Sequence, residues 1–337
     1  MLLMNYLVNT FKMKSWLLSH QQIFSNQFSH NILPHAILVN GVTGSGKLEF
    51  SQWLLHLLNC QQPQKHINNQ EGILQSCGSC KSCLLLKSKT YPDHLNLVAE
   101  KNSLGVDDIR HANSFLQKTA HLGKFKTVLI ENAQTMTLAA ANALLKTLEE
   151  PSDNSVIILL TNDIEILLPT IVSRCRVLNI RPNVGQALLQ SMSGKEFCVE
   201  SNAELNNPFI NLTQLPELID KTINEAFQGF KVCYLNYLDG QQVESQLLEQ
   251  LLKNEHGLRW LEQITVNLLR EQFIAVNVPS NMPTLNVELL NNLYKVIING
   301  CKVIKSYTQA NKQLVCEQLI MTISDVIEQT KFNKQEI

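Results

Sequence analysis

The sequence lacks a long apolar run, an excess of charge of one sign, an internal repeat and a low-complexity tract. No apolar run approaches the ~18 residues that a membrane-spanning helix needs, so we expect no membrane partner. The formal net charge of -1 excludes a chain that binds nucleic acid through its overall charge. Charged residues make up 17% and hydrophobic residues 45%, values typical of a folded protein.

The first residues also lack the order of features found in a secretory signal peptide. The apolar stretch 2–8 comes before Lys12 and Lys14, whereas a signal peptide carries its positive charge first. We therefore predict a cytoplasmic protein. In a reducing compartment, its nine cysteines are better explained as metal ligands and buried thiols than as disulfides.

The chain is long enough for two or three domains, and its pattern changes near Arg181-Pro182. Before that point, short apolar runs alternate with helical patterns, as is typical of a parallel α/β sheet. Strands are predicted at 36–39, 95–98, 128–130, 156–160 and 177–180, and helices at 49–59, 106–116 and 138–148. After that point, amphipathic helices are predicted at 243–253, 258–273, 287–304 and 314–327. The predicted fold class is α/β followed by all-α.

A glycine-rich segment follows the first predicted strand and opens a helix. Gly41, Gly44, Gly46 and Lys47 fit the Walker A pattern, in which backbone N–H groups and a lysine face phosphate oxygens. Leu48 stands where the pattern has Ser or Thr, whose hydroxyl binds magnesium. The segment predicts a phosphate loop that lacks a metal ligand, with weakened ATP binding. A glycine-rich turn without a ligand is the structural alternative.

The predicted strand that ends at Ile130 is followed by Glu131 and Asn132. In working P-loop ATPases, an Asp at this point holds magnesium and a following Glu prepares the attacking water. Glu131 keeps the first negative charge near the nucleotide, whereas the Asn132 amide can orient a water but cannot accept its proton. We therefore predict that the chain does not hydrolyse ATP by itself.

Four cysteines cluster between the loop and this strand: Cys60, Cys77, Cys80 and Cys83. Four thiolates close a tetrahedral Zn²⁺ site and leave no open position for water, so the spacing predicts a structural zinc module over 60–83. The alternatives are a redox-active Cys-x-x-Cys pair, an iron–sulfur cluster, and a site in which His66 replaces one cysteine.

Arg174 lies in a Ser-Arg-Cys segment, after a short turn and before the last predicted strand. A guanidinium is always charged and planar, so it matches the spread charge of a transferring γ-phosphoryl group. Arg174 has the form of an arginine finger that serves a neighbour's nucleotide. The alternative is an arginine that caps a helix or pairs with a nearby carboxylate.

Five stretches carry a resemblance to a known family: 33–39, the four-cysteine cluster, 104–110, 139–151 and 170–175. With them, the first 180 residues are similar to the AAA+ modules of the bacterial DNA polymerase III clamp-loader family. Within that family the chain resembles the delta-prime subunits, whose Walker motifs are degenerate. The run from Asn142 to Pro151 is highly specific.

The resemblance implies an AAA+ P-loop domain over 1–182, a small helical lid over 183–218 and a helical collar over 219–337. It implies a pentameric ring with other clamp-loader subunits, and through that complex an interaction with the sliding clamp and primer-template DNA. It also implies that the chain is a subunit of a DNA polymerase holoenzyme, in which Arg174 acts in trans on the ATP of a neighbouring subunit. An active AAA+ ATPase subunit and a zinc-stabilised DNA-binding protein are the alternatives.

Overall fold

The computed structural model describes residues 14–65, 72–99, 103–191, 208, 210–274, 287–306 and 311–332. These residues form two compact units, which divide between Leu215 and Pro216. His66 and most of the predicted lid, residues 192–207, lie outside the described ranges. In the described part of the chain, no helix is both long enough and apolar enough to cross a membrane.

The first unit is built around a five-stranded parallel sheet with the strand order β4-β5-β6-β1-β7. Its strands are β1 (Ala36–Asn40), β4 (His94–Leu97), β5 (Lys126–Ile130), β6 (Ser155–Thr161) and β7 (Arg176–Asn179). All five were predicted within two residues at each end. Every residue of β5 and β6 is buried, because both faces of a parallel sheet are covered. A separate antiparallel pair is formed by β2 (Gln64–Lys65) and β3 (Leu74–Gln75).

Helices cover this sheet and connect its strands. They are α1 (Leu18–Ser29), α2 (Lys47–Asn59), α3 (Lys81–Lys87), α4 (Val106–Leu116), α5 (Leu138–Glu149), α6 (Pro169–Val172) and α7 (Gly185–Ser191). Ile109 of α4 and Leu144 of α5 belong to the same buried cluster as Leu38 and Ile130 of the sheet. The sequence patterns did not predict α1, because it buries Gln21 and Ser25 beside a single large apolar residue, Phe24.

Helix α5 begins as predicted after Thr137, whose Oγ1 accepts a hydrogen bond from the backbone N–H of Ala140 at 3.2 Å. The spacing of apolar residues predicts a buried face formed by Leu138, Ala141, Leu145 and Leu148, and this face is wrong at its first position, since Leu138 is 66% exposed. Leu144, which the prediction left out of that face, is only 1% exposed. The helix is therefore rotated about its axis so that Leu144 and Leu148 face the sheet, and its first residue points to solvent.

The second unit is all-helical, which confirms the predicted fold class. Its helices are α8 (Leu215–Ile219), α9 (Lys221–Leu238), α10 (Glu244–Lys253), α11 (Gly257–Ile274), α12 (Val287–Ser306) and α13 (Lys312–Phe332). Helix α9 begins after Asp220, whose carboxylate accepts from the backbone N–H groups of Thr222 and Ile223. Two of its buried aromatic residues, Phe230 and Tyr234, lie in one core with residues of α10 to α13.

A buried ion pair ties the start of β4 to the chain before β5. Asp93 is fully buried and accepts hydrogen bonds from the backbone N–H groups of His121, Leu122 and Gly123 at 2.7 to 3.0 Å. Its carboxylate is 3.7 Å from the Nζ of Lys126, which is also buried. Burial alone would raise the pKa of Asp93, but the three N–H donors and Lys126 outweigh it and hold that pKa below its ordinary value.

We predict that Asp93→Ala lowers the free energy of unfolding at pH 7 by about 3–5 kcal/mol, because it leaves the Lys126 ammonium buried and unpaired. The folded-state pKa of Asp93 is depressed, so its stabilisation is present above the ordinary value of 3.8 and is lost as pH falls below it. Urea unfolding at pH 7 and at lower pH measures both effects. Asp107→Ala, at an exposed carboxylate, is the control. An Asp93→Ala protein as stable as this control would contradict the prediction.

Candidate functional site

The predicted phosphate loop lies between β1 and α2, at the carboxyl edge of the sheet. Gly44 and Gly46 have φ angles of 79° and 99°, in the left-handed region that favours glycine. A Cβ atom at Gly41 would lie 2.9 Å from the backbone oxygen of Ile180. The loop conformation therefore depends on all three glycines for local steric reasons.

Lys47 opens α2, and its ammonium group is bound within the loop. Its Nζ donates to the backbone oxygens of Gly41 and Val42, the second at 3.0 Å, and to Oδ1 of Asn162 at 2.8 Å. Burial lowers the pKa of Lys47 to about 8, with Glu49 opposing this effect and Lys14 adding to it. A phosphate group that binds Lys47 would therefore have to replace oxygen atoms of the chain as hydrogen-bond acceptors of its ammonium group.

Three residues at the loop were missed by sequence reasoning. Asn162, which follows β6, bonds Lys47, while Lys14 donates from Nζ to the backbone oxygen of Gly44. Trp16 donates from Nε1 to the backbone oxygen of Ser45 at 2.8 Å. Asn162 had a usable signal, since polar residues after buried parallel strands meet at the ligand-binding edge of a sheet. Lys14 and Trp16 had no such signal, because they are far from the loop in the sequence and no local pattern links them to it.

Glu131 lies at the same edge of the sheet but has a different partner from Lys47. Its Oε1 accepts from Nδ2 of Asn96 at 2.9 Å. Asn96 belongs to β4, on the far side of β5 from β6 and β1. Asn132 follows with a left-handed φ of 55°, and its backbone oxygen accepts from the N–H of Thr135. The structure thus places Glu131 and Lys47 in separate hydrogen-bond groups.

The four cysteines converge on one point. Cys60 follows α2, Cys77 and Cys80 lie in the loop before α3, and Cys83 lies within α3. The pairing of β2 with β3 brings Cys60 back toward Cys77, although 17 positions separate them in the chain. All four Sγ atoms lie within 4.8 Å of one another. Tetrahedral coordination by ~2.3 Å Zn–S bonds places sulfurs about 3.8 Å apart, so the cluster could hold a metal ion after a small contraction.

The surroundings of these thiols also suit a cation. Burial opposes ionisation of Cys77, but N–H groups of Cys80 and Ser79 and the neighbouring thiols outweigh it and lower its pKa to about 6. Burial raises the pKa of Cys60 and of Cys83, and the Cys80 thiol contributes to the effect at Cys83. Four thiolates this close repel one another unless a cation lies between them, so a bound metal would stabilise the ionised form of all four.

Arg174 makes the contacts expected of the structural alternative. Its Nη2 lies 2.6 Å from Oε1 of Glu149, the last residue of α5. Its Nη1 donates to the backbone oxygen of Thr170 in α6 at 2.9 Å and lies 3.4 Å from Oγ of Ser173. The side chain of Arg174 nevertheless remains 35% exposed, and that of Glu149 50% exposed. The guanidinium is thus anchored at the surface and is not enclosed in the core.

Comparison with known proteins agrees with the motifs. Residues 19–184 match the model of a family described as DNA polymerase III, delta subunit. DNA polymerase III subunit delta' of Escherichia coli K12 is 30% identical over 309 residues, which cover 87% of this chain and 90% of that protein. The protein of the same name from Pseudomonas aeruginosa is 42% identical over 144 residues, covering 42% of this chain and 41% of its own length. That of Bacillus subtilis 168 is 30% identical over 198 residues, 58% of this chain and 57% of the relative. The chain therefore belongs to the family of DNA polymerase III delta-prime subunits.

Proposed function

We propose that this chain is a clamp-loader subunit that does not hydrolyse ATP and that supplies Arg174 to the ATP site of a neighbouring subunit. The observation that carries the proposal is a glycine-rich loop with the backbone geometry of a Walker A segment, in which Leu48 stands where that pattern has a magnesium-binding Ser or Thr. In a delta-prime family member, such a loop is more consistent with a segment that keeps its structure but has lost hydrolysis than with a working active site.

The residues around the loop support the absence of hydrolysis. Lys47 can contact a phosphate, but the Leu48 side chain offers no oxygen to magnesium. Asn132 cannot take a proton from an attacking water, and the Glu131 carboxylate is bonded to Asn96. Metal binding and proton removal are thus both weakened within this chain, whereas the Arg174 guanidinium is intact and partly exposed.

The proposed partners are the other clamp-loader subunits, in a pentameric ring joined through the helical second unit. A net charge of -1 supports contact with primer-template DNA and the sliding clamp through this complex, and not through the isolated chain. We place the complex in the cytoplasm, where replication proteins of bacteria meet DNA.

We further propose that the metal of the four-cysteine cluster is Zn²⁺ and that its role is structural. Four sulfur ligands, from the residue after α2, the loop before α3 and α3 itself, would fill the coordination sphere. A redox-active pair requires only two of these thiols, so the convergence of all four supports the metal site.

We predict that the isolated chain shows no ATP turnover that depends on Lys47. The Leu48→Thr/Asn132→Glu double variant should recover Mg²⁺-dependent nucleotide binding more readily than hydrolysis, because an arginine from a neighbour would still be missing. Nucleotide binding and phosphate release, with Lys47→Ala as the control, measure the two steps. Turnover by the unmodified chain that disappears in Lys47→Ala would instead support an active ATPase. Salt-sensitive DNA binding by the isolated chain would support the DNA-binding alternative.

A further inference from the structure

The Arg174 guanidinium bridges the last residue of α5 and the short helix α6. Its partner at α5 is the Glu149 carboxylate, and its partner in α6 is the backbone oxygen of Thr170, which also accepts from Oγ of Ser173 at 3.1 Å. A backbone oxygen carries partial negative charge, so it favours a cation beside it. Arg174 is therefore held by one backbone oxygen, and the Glu149 carboxylate fixes its orientation there.

The contacts with described residues occupy only part of the guanidinium. An arginine has five N–H donors. Three are directed at Glu149, at the Thr170 oxygen and, at 3.4 Å, at Ser173 Oγ. Within the part of the chain that the structure describes, two N–H groups thus remain for a further acceptor, such as a phosphoryl oxygen of another subunit.

We propose that Glu149 is a positioning residue for Arg174, and this inference rests on the proposed function. By holding one terminal nitrogen, Glu149 keeps the long side chain extended at the surface and presents its remaining N–H groups to the neighbour's γ-phosphoryl group. Less side-chain freedom is then lost when the two subunits meet, so the transition state is reached more easily.

The exposure of the pair indicates that Glu149 orients Arg174 and does not restrain it. Glu149 is 50% exposed, and solvent weakens an ion pair of this kind. Such a contact can favour one orientation, but it cannot compete with the charge of a transferring phosphoryl group. Loss of Glu149 should therefore lower, and not raise, the rate at the site that Arg174 serves.

The chain offers a matched control at the next position. Glu150 is also an exposed carboxylate, and it makes no contact with Arg174 among the described residues. Glu150→Gln removes the same charge from the same helix end as Glu149→Gln does. A difference between these two variants therefore reports the contact with Arg174, and not the net charge of this surface.

The experiment uses the complete clamp-loader complex, reconstituted with each variant and assayed for ATPase with clamp and primed DNA. The Arg174-dependent rate is the difference in kcat between wild type and Arg174→Ala. We expect Glu149→Gln to lower this rate about 2- to 5-fold, the effect of an exposed ion pair, with KM for ATP unchanged. Glu149→Asp, which keeps the charge, should retain more of the rate than Glu149→Gln, and Glu150→Gln should match wild type.

The Glu149→Gln/Arg174→Ala double variant completes the test. If Glu149 acts through Arg174, the double variant is no slower than Arg174→Ala alone. An additive loss, a faster Glu149→Gln complex, or equal rates for Glu149→Gln and Glu150→Gln would overturn the inference. If Arg174→Ala itself changes no rate in an assembled complex, the proposed function fails instead, so the two failures are distinguishable.

Discussion

Replacing Arg174 by alanine is expected to lower ATP hydrolysis by the reconstituted clamp-loader complex. Removal of an arginine finger costs ~10³-fold or more in kcat at the site that it serves, because the developing charge of the γ-phosphoryl group loses its partner. If the proposed ring has several ATP sites, total hydrolysis should fall by a fraction, whereas coupled clamp loading should fall further.

The isolated Arg174→Ala chain should remain folded. The substitution removes a partly exposed ion pair with Glu149, and such pairs contribute roughly 0–1 kcal/mol. Ring assembly should also be unchanged, because we assign it to the helical second unit. Size-exclusion chromatography of the complex and thermal unfolding of the chain would check both points before any rate is compared.

Two control variants make the Arg174 result specific. Arg174→Lys keeps the charge but lacks the planar fork, so it should restore little of the lost rate. Arg176→Ala removes another exposed arginine from the same stretch and should leave hydrolysis unchanged. An assembled Arg174→Ala complex with normal clamp-stimulated hydrolysis and normal loading would show that Arg174 is only a helix-capping residue.

The second large effect is expected on removal of the metal. Elemental analysis of protein purified under reducing conditions should find one zinc atom per chain, and chelation should lower the melting temperature. Cys80→Ser leaves three thiolates, so we expect the free energy of unfolding to fall by several kcal/mol and the melting temperature by about 5–10 °C. The three remaining thiols should be prone to oxidation. Ser79→Ala, at an exposed position of the same loop, should retain both metal and stability.

A different result of the metal analysis would assign the four cysteines a different role. Protein that contains iron would indicate a cluster with the same four ligands. Protein without any metal, in which Cys77 and Cys80 oxidise reversibly, would indicate a redox pair. A Cys80→Ser variant with unchanged melting temperature would show that the module is not needed for the fold. In each case hydrolysis by the complex is a separate measurement, since the role proposed for the cluster is structural.

Local patterns in the sequence were sufficient for much of the fold. Buried strands such as Ser155–Thr161 are continuous apolar runs, and their prediction requires only neighbouring residues. The glycine-rich loop could also be predicted from neighbouring residues. Gly44 and Gly46 have left-handed φ angles, which glycine adopts without steric cost. The cysteine spacing likewise predicted a cluster of four cysteines that could hold a metal ion, since three of the four lie within seven residues.

Contacts between distant side chains were decided only by the tertiary structure. Strand order directs Glu131 to Asn96, and the end of β6 brings Asn162 to Lys47. The packing of α5 beside α6 brings Glu149 to Arg174, 25 residues further along the chain. A single sequence states which side chains can form such bonds, but their partners depend on how separate elements pack. Helical or strand periodicity carries no information about that packing.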